Sequence, residues 1–222
     1  MIDEPPSMTD GRQPPLGALQ RFAQRAARAA AAAQERCDLC GEPVPPAHRH
    51  LLTVATREIQ CACRACALLF GSAAASEGRY RLVPERRLHL ADFAMSDAEW
   101  DDLRVPVGIA FFFHSTPEGR IVAYYPSPAG PVESLLRLDT WEALAARNPA
   151  LRDLEPDVEA LLVNRARGAS EHYVVPIDDC YSLVGLVRRH WRGLGGGPAV
   201  WAEIGQFFER LQAHAKPGRR DG

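Results

Sequence analysis

Five of the six cysteines lie between residues 37 and 66, and four of them form two close pairs. Cys37 and Cys40 make the first Cys-x-x-Cys pair, and Cys63 and Cys66 make the second. Two intervening residues let a tight turn direct both sulfurs of a pair at one ion, and Gly41 supplies the backbone freedom that this turn needs. The spacing therefore predicts a tetrahedral metal site whose ligands are these four thiolates.

The spacing between the pairs is close to that of zinc ribbons, but sulfur-only tetrahedral sites take either zinc or iron. The first pair, Cys37-Asp-Leu-Cys40-Gly41, resembles part of the iron site of rubredoxin. In the second pair, Ala67 stands where the matching glycine would be, and Phe70 is the aromatic residue nearest to it. These departures favour zinc, with iron as the alternative. A closed four-cysteine zinc site has no position for substrate, so we expect a structural metal.

Three nearby residues leave the ligand set open. Cys61 could displace one member of the second pair, or it could be a spare thiol exposed to oxidation. His48 and His50 could each replace a cysteine, although they follow a proline-rich loop and lack a fixed ligand spacing.

The remaining motifs give no convincing catalytic or cofactor-binding set. The sequence contains no Gly-x-Ser-x-Gly, His-Glu-x-x-His or Walker motif. Asp178 and Asp179 are interpreted as helix caps, Cys180 as a small buried apolar residue, and Gly195-Gly-Gly197 as a turn between two helices. We therefore predict neither catalytic nor cofactor-binding residues, and a non-enzymatic protein is favoured over an enzyme.

Composition and charge describe an ordinary soluble protein. The 222 residues are 46% hydrophobic and 24% charged, and 26 basic residues against 28 acidic ones give a net charge of -2. This balance argues against a general nucleic-acid binder. Arginines that flank the cysteines leave a local phosphate-binding patch as the alternative; they are Arg49, Arg57, Arg64, Arg79, Arg81, Arg86 and Arg87.

The N-terminus and the hydropathy pattern predict a cytoplasmic protein without a membrane span. No apolar run reaches the length of a transmembrane helix. Arg21, Arg25 and Arg28 interrupt the alanine tract where a secretory signal would be apolar.

Segment composition predicts five regions and an α+β fold. We expect a disordered N-terminus over residues 1–15, a helix over 16–36, a zinc-ribbon module over 37–70, an antiparallel-sheet domain with C-terminal helices over 79–215, and a disordered tail over 216–222. Residues 51–59 are predicted to form one short strand, and residues 67–70 to anchor the module through their apolar side chains. In the larger domain, strands are expected at 80–83, 88–90, 107–113, 121–125, 132–138, 158–163 and 172–175. Turns at 117–119 and 126–131 are expected to link three of these strands as consecutive hairpins, and Ser96 and Glu99 are expected to form a capping box at the start of a short helix.

Two segments together resemble an uncharacterised bacterial family. They are the cysteine motifs, Cys-Asp-Leu-Cys-Gly and Cys-Ala-Cys-Arg-Ala-Cys, and the late segment Val175-Pro-Ile-Asp-Asp-Cys-Tyr-Ser-Leu-Val-Gly-Leu-Val with Trp191 downstream. Genes of the family that the chain resembles lie among those for uptake [NiFe]-hydrogenases. The resemblance spans roughly residues 35–195 and implies an accessory role in hydrogenase assembly or maturation, with a hydrogenase subunit or assembly factor as protein partner.

Three functional hypotheses follow from these observations. The first is a non-enzymatic, zinc-stabilised accessory protein that acts through protein–protein contacts. The second is a rubredoxin-like electron carrier, or a protein that protects a hydrogenase during assembly. The third is a nucleic-acid-binding zinc ribbon.

Overall fold

The computed structural model describes residues 34–105, 107–134, 138–193 and 195–218. The predicted disordered segment 1–15 and most of the predicted helix 16–36 lie outside these residues. The described end of that helix is not helical, because Arg36 forms an isolated antiparallel bridge with Pro43.

Within the described residues the chain forms six α-helices and ten strands, which confirms the α+β class. The helices are α1 (Arg64–Phe70), α2 (Ala73–Ser76), α3 (Asp97–Asp102), α4 (Leu138–Arg147), α5 (Ile177–His190) and α6 (Gly197–His214). The strands are β1 (Arg49–Thr53), β2 (Glu58–Ala62), β3 (Tyr80–Leu82), β4 (Leu88–His89), β5 (Ile109–Ser115), β6 (Arg120–Ser127), β7 (Gly130–Ser134), β8 (Glu159–Asn164), β9 (Glu171–Pro176) and β10 (Lys216–Pro217).

The smaller of two sheets has the strand order β2-β1-β3, all antiparallel. The single strand predicted over 51–59 is wrong, because the chain reverses inside it and makes a β1–β2 hairpin. Arg57 takes the left-handed conformation (φ 58°) at this reversal, where glycine or asparagine would have marked a turn. The strand predicted near Tyr80 exists as β3, but it pairs with β1 and so extends the sheet of the cysteine region.

The larger sheet has the order β10-β4-β9-β8-β5-β6-β7 in the described part of the chain. Its strands are antiparallel except for the β10–β4 pair, and β5–β6–β7 is the predicted pair of consecutive hairpins. The expectation of a disordered tail from residue 216 is wrong at its start, since Lys216 and Pro217 form β10 beside β4.

Both faces of this sheet are covered, which explains the continuous apolar run in β5. On one face, Phe111 and Phe113 pack with residues of α5 and α6; on the other, Phe112 packs against Trp141 of α4. A strand buried on both faces has no polar positions to alternate, so its sequence reads as uniformly apolar.

Two helix starts illustrate different capping. Ser96 and Glu99 form the predicted capping box at α3. At α5 the cap is Pro176 without a side-chain hydrogen bond, so Asp178 and Asp179 are not caps but lie in the first turn. Among the described helices, none has the combination of length and apolar character needed to cross a membrane.

Candidate metal centre

The first cysteine pair is shaped by a glycine turn. The backbone N–H of Gly41 donates to the carbonyl of Cys37 at 2.8 Å, and Gly41 has a φ of 75° that other residues rarely adopt. Burial acts to raise the pKa of Cys37, but backbone hydrogen bonds from Cys63, Leu39 and Cys40 outweigh it and lower that pKa to about 6. These hydrogen bonds therefore favour the thiolate form of Cys37, which is the form that binds a metal.

The second pair is shaped by a helix instead. Cys63 is the N-cap of α1, and its sulfur accepts the backbone N–H of Cys66 at 3.5 Å. A helical turn brings the two sulfurs to one side without a left-handed residue, which is why Ala67 can occupy the position of the expected glycine. The helix therefore explains why no glycine is needed at this position, and the absence of glycine does not distinguish a zinc site from an iron site.

The four predicted cysteines come together in the structure. The sulfurs of Cys37, Cys40, Cys63 and Cys66 all lie within 4.8 Å of one another, and those of Cys40 and Cys63 are 3.7 Å apart. A tetrahedral ion with metal–sulfur bonds of about 2.3 Å would place the sulfurs about 3.8 Å apart. All six cysteines of the chain are free thiols. The cluster can therefore hold a metal ion, and its geometry fits zinc and iron equally.

Asp38 joins the two halves of the cluster, and sequence reasoning missed it. Its backbone N–H donates to the carbonyl of Cys61 at 2.9 Å, while its carboxylate Oδ2 accepts the N–H of Cys61 at 2.6 Å. Asp38 therefore fixes the first turn against strand β2. A carboxylate within a Cys-x-x-Cys turn gives no sequence signal for such a bridge.

Burial within the cysteine module (residues 37–70) is uneven. Cys37 and Cys66 pack with Val44 and Leu51, whereas Cys40 is exposed. The apolar anchor predicted over 67–70 is half wrong. Ala67 and Phe70 pack into this core, but Leu68 and Leu69 are 72% and 58% exposed on the outer side of α1.

Arg57 fastens the tip of the β1–β2 hairpin to the larger sheet. Its guanidinium donates to Ser115 Oγ at 2.9 Å and also hydrogen-bonds Tyr124 and Glu118. The same group lies 5.6 Å from the centre of the Phe113 ring. Arg57 is thus a structural anchor rather than a free phosphate contact.

Most of the other arginines considered for phosphate binding also interact with side chains of the protein. Of the seven arginines considered for phosphate binding, five form ion pairs with carboxylates: Arg49 with Glu85, Arg57 with Glu118, Arg81 with Asp157, Arg86 with Glu159 and Arg87 with Asp179. A patch whose charges are already paired attracts nucleic acid weakly.

The remaining sequence candidates lie away from the cluster. Cys180 is completely buried in the main core, and burial raises its pKa well above the ordinary value, so it is a poor nucleophile. Gly196 is the N-cap of α6, and a Cβ on it would lie 2.8 Å from Val200 Cγ1. The glycine run is therefore a turn between α5 and α6 that is closely packed at Gly196.

Cys61, His48 and His50 form a second group, separate from the four cysteines. One ring nitrogen of each histidine and the Cys61 sulfur lie within 4.8 Å of one another. None of the three belongs to the set of sulfurs that surrounds the first site.

Comparison of the sequence with known proteins identifies a family. Residues 36–215 match the family described as "Family of unknown function (DUF5947)", a range that includes both groups of candidate ligands and the larger sheet. No curated protein and no solved structure shows a significant match to the chain. Since the match spans most of the sequence, the chain belongs to this family.

Proposed function

We propose that the protein is a non-enzymatic accessory factor whose cysteine module is built on a structural zinc ion held by Cys37, Cys40, Cys63 and Cys66. The observation that carries the metal site is the mutual approach of these four sulfurs within 4.8 Å, and the choice of zinc over iron rests on the zinc-ribbon spacing of the two cysteine pairs. Four protein ligands complete a tetrahedral shell, so the ion stabilises the module and does not bind substrate. Metal binding supplies much of the folding energy of such a small unit.

The exposed leucines of α1 support a role in protein–protein contacts. Leu68 and Leu69 lie two and three residues after Cys66, and neither packs onto the core of the module. Metal binding at Cys66 would hold this short helix in place and so present both leucines on a rigid surface. Exposed apolar side chains on a rigid element are a common feature of partner-binding surfaces.

We propose a cytoplasmic [NiFe]-hydrogenase subunit or assembly factor as the partner. The support is the resemblance carried by the cysteine motifs and by the segment that contains Asp178 and Asp179. In the structure these two parts of the chain are in contact, since His50 of the module hydrogen-bonds Asp178. The segments that carry the resemblance therefore belong to two parts of the chain that contact each other.

Metal content tests the first part of the proposal. Protein purified without added metal is expected to contain zinc and to lack visible absorption, and the double variant C37S/C40S is expected to lose one zinc per chain. A red, iron-loaded protein would overturn the assignment of zinc. An unchanged metal content in the double variant would overturn the ligand assignment.

Affinity purification from the native host tests the second part. A tagged wild-type chain should retain a hydrogenase subunit or assembly factor identified by mass spectrometry, and L68S/L69S should lose it while keeping the zinc. Arg188→Ser, on the exposed side of α5, is the matched surface control. Absence of every hydrogenase component from the wild-type sample would contradict the proposed partner.

A rubredoxin-like iron electron carrier is the second candidate. Two observations favour it: Cys40 is exposed, as an electron-transfer ligand should be, and Phe70 has a second aromatic beside it, Tyr80, at a ring distance of 6.0 Å. The visible spectrum separates the two candidates, because an iron tetrathiolate is coloured and zinc is not.

A further inference from the structure

The second group of candidate ligands lies on one face of the β1–β2 hairpin. His50 and Cys61 are direct cross-strand partners, so their side chains lie on the same side of the sheet. His48 precedes His50 by two residues, which places it on that side as well, and the two imidazole centres are 4.8 Å apart. The opposite face, through Leu51 and Ala62, packs onto the four-cysteine core. The hairpin therefore separates two distinct groups of ligands.

In both histidines the Nδ1 atom makes a hydrogen bond. Nδ1 of His48 lies 2.8 Å from the carbonyl oxygen of Pro45, and Nδ1 of His50 lies 2.7 Å from Oδ2 of Asp178. A carbonyl or carboxylate oxygen can only accept, so each Nδ1 carries a proton that it donates. In the neutral ring this leaves Nε2 with its lone pair free. The same arrangement orients histidines that bind metal through Nε2.

His48 gives the strongest indication that something binds here. Its side chain is only 6% exposed, yet its Nε2 is buried without a hydrogen-bond partner among the described residues. A buried polar atom left unsatisfied costs roughly 1–3 kcal/mol. A metal ion bound at this nitrogen would remove that cost.

We propose that His48 Nε2, His50 Nε2 and Cys61 Sγ form a second zinc site, which leaves one coordination position open. Two imidazoles and one thiolate are ligands that zinc prefers, and three protein ligands with one open position distinguish reactive zinc sites from structural ones. The nearby charges favour a cation: Asp178 hydrogen-bonds His50, and a carboxylate oxygen of Glu35 lies 3.7 Å from His48 Nδ1. One ring nitrogen of each histidine and the Cys61 sulfur lie within 4.8 Å of one another, and tetrahedral zinc requires ligand separations of about 3.4–3.7 Å, so the side chains must move closer together to close the site.

The position of this site couples the cysteine module to the larger sheet. Leu52, on the same face of β1, belongs to the main core, and Asp178 is in the first turn of α5. An ion bound here would therefore order the junction between the two parts. Its open position would accept a water molecule, a thiolate or a carboxylate from a partner.

Zinc stoichiometry tests the proposal. Full-length protein is incubated with excess zinc chloride under reducing conditions and desalted, and the zinc per chain is measured by mass spectrometry. We expect two zinc ions for wild type and one for H48A/H50A. His214→Ala, which alters an exposed histidine at the end of α6, should keep two. One zinc in wild type, or two in H48A/H50A, would overturn the second site.

A further variant and a cobalt measurement keep the outcome interpretable. Cys61→Ser changes one atom and should also reduce the zinc content from two ions per chain to one. This variant tests the second site even if the double histidine variant misfolds. With cobalt in place of zinc, C61S should keep the sulfur-to-cobalt absorption of the four-cysteine site; loss of that absorption would assign Cys61 to the first centre and refute the proposal. Wild type that lacks the absorption of a four-sulfur cobalt site would show instead that the four-cysteine assignment has failed, so the two failures are recognised separately.

Discussion

His50 Nδ1 lies 2.7 Å from Oδ2 of Asp178, and this hydrogen bond joins strand β1 of the cysteine module to the first turn of helix α5. The two residues are 128 positions apart in the sequence. The adjacent Asp179 makes a parallel connection, because its carboxylate accepts two hydrogen bonds from Arg87. The acidic pair that seemed to cap α5 therefore attaches the helix to two other parts of the chain.

Asp178→Asn should weaken the second zinc site without affecting the first. An amide can present its NH₂ group to Nδ1 of His50, so it no longer fixes the tautomer that leaves Nε2 free. Loss of such a supporting carboxylate typically lowers metal affinity about 10–100-fold. Competition with a zinc chelator measures the change. Asp179→Asn is the matched control, since Asp179 bonds Arg87 and no histidine; an equal loss of zinc affinity in both variants would contradict the role given to Asp178.

C37S/C40S should disorder the cysteine module while leaving the larger sheet folded. Structural zinc sites in small peptides contribute an apparent 10–16 kcal/mol, and the core of this module is small. We expect rapid hydrogen exchange and new proteolytic cleavage within residues 37–70. Protection of β5 and β8 should persist, because their side chains pack in the two main cores. A module that stays protected in the double variant would show that the ion is not structural.

The sequence predicted those features that depend on local patterns. The Cys-x-x-Cys spacing identified the four sulfurs that meet, and the capping box at Ser96 and the apolar run in β5 are likewise local signals. The apolar pattern of the strands and the turn residues between them likewise indicate a buried antiparallel sheet with hairpins. The α+β class was therefore predictable. Such features require no knowledge of how distant segments pack.

The features that the sequence did not predict depend on distant contacts. Arg57 occupies a left-handed position without glycine, because Ser115, Tyr124 and Glu118 hold its guanidinium. Leu68 and Leu69 seemed to be an anchor, but helix α1 turns them outward. Pairing of His50 with Cys61 depended on the register of a hairpin that was predicted as a single strand.

Arg57→Ala should destabilise the attachment of the β1–β2 hairpin. The change removes the guanidinium donor from Ser115, Tyr124 and Glu118, although Glu118 keeps its ion pair with Arg120, and hydrogen bonds to charged groups contribute roughly 1.5–3 kcal/mol each. We expect the free energy of unfolding in urea to fall by about 2 kcal/mol. Arg57→Lys keeps the charge but cannot bond three acceptors in one plane, so it should recover only part of the loss. Full recovery by lysine would mean that charge alone matters.

His172 should make the fold sensitive to acid. It is 5% exposed and stacks on Phe93, with ring centres 4.7 Å apart. Burial, helped by the positive charge of Arg165, lowers the pKa of His172 from 6.5 to about 4. On acidification, the unfolded chain therefore binds a proton near pH 6.5, whereas the folded chain stays neutral down to about pH 4. Unfolding is favoured across this window, and stability is regained as the pH rises above it.

His172→Phe should remove this acid sensitivity, because phenylalanine fills a similar volume beside Phe93 and cannot bind a proton. Urea unfolding followed by tryptophan fluorescence at pH 7.5 and pH 5.0 measures the effect. Between these pH values the wild type should lose about 2 kcal/mol more than H172F, since each pKa unit corresponds to about 1.4 kcal/mol. Other titrating groups, including the metal ligands, contribute to both proteins and cancel in the difference. Equal losses in the two proteins would show that His172 binds its proton as readily in the fold as in the unfolded chain.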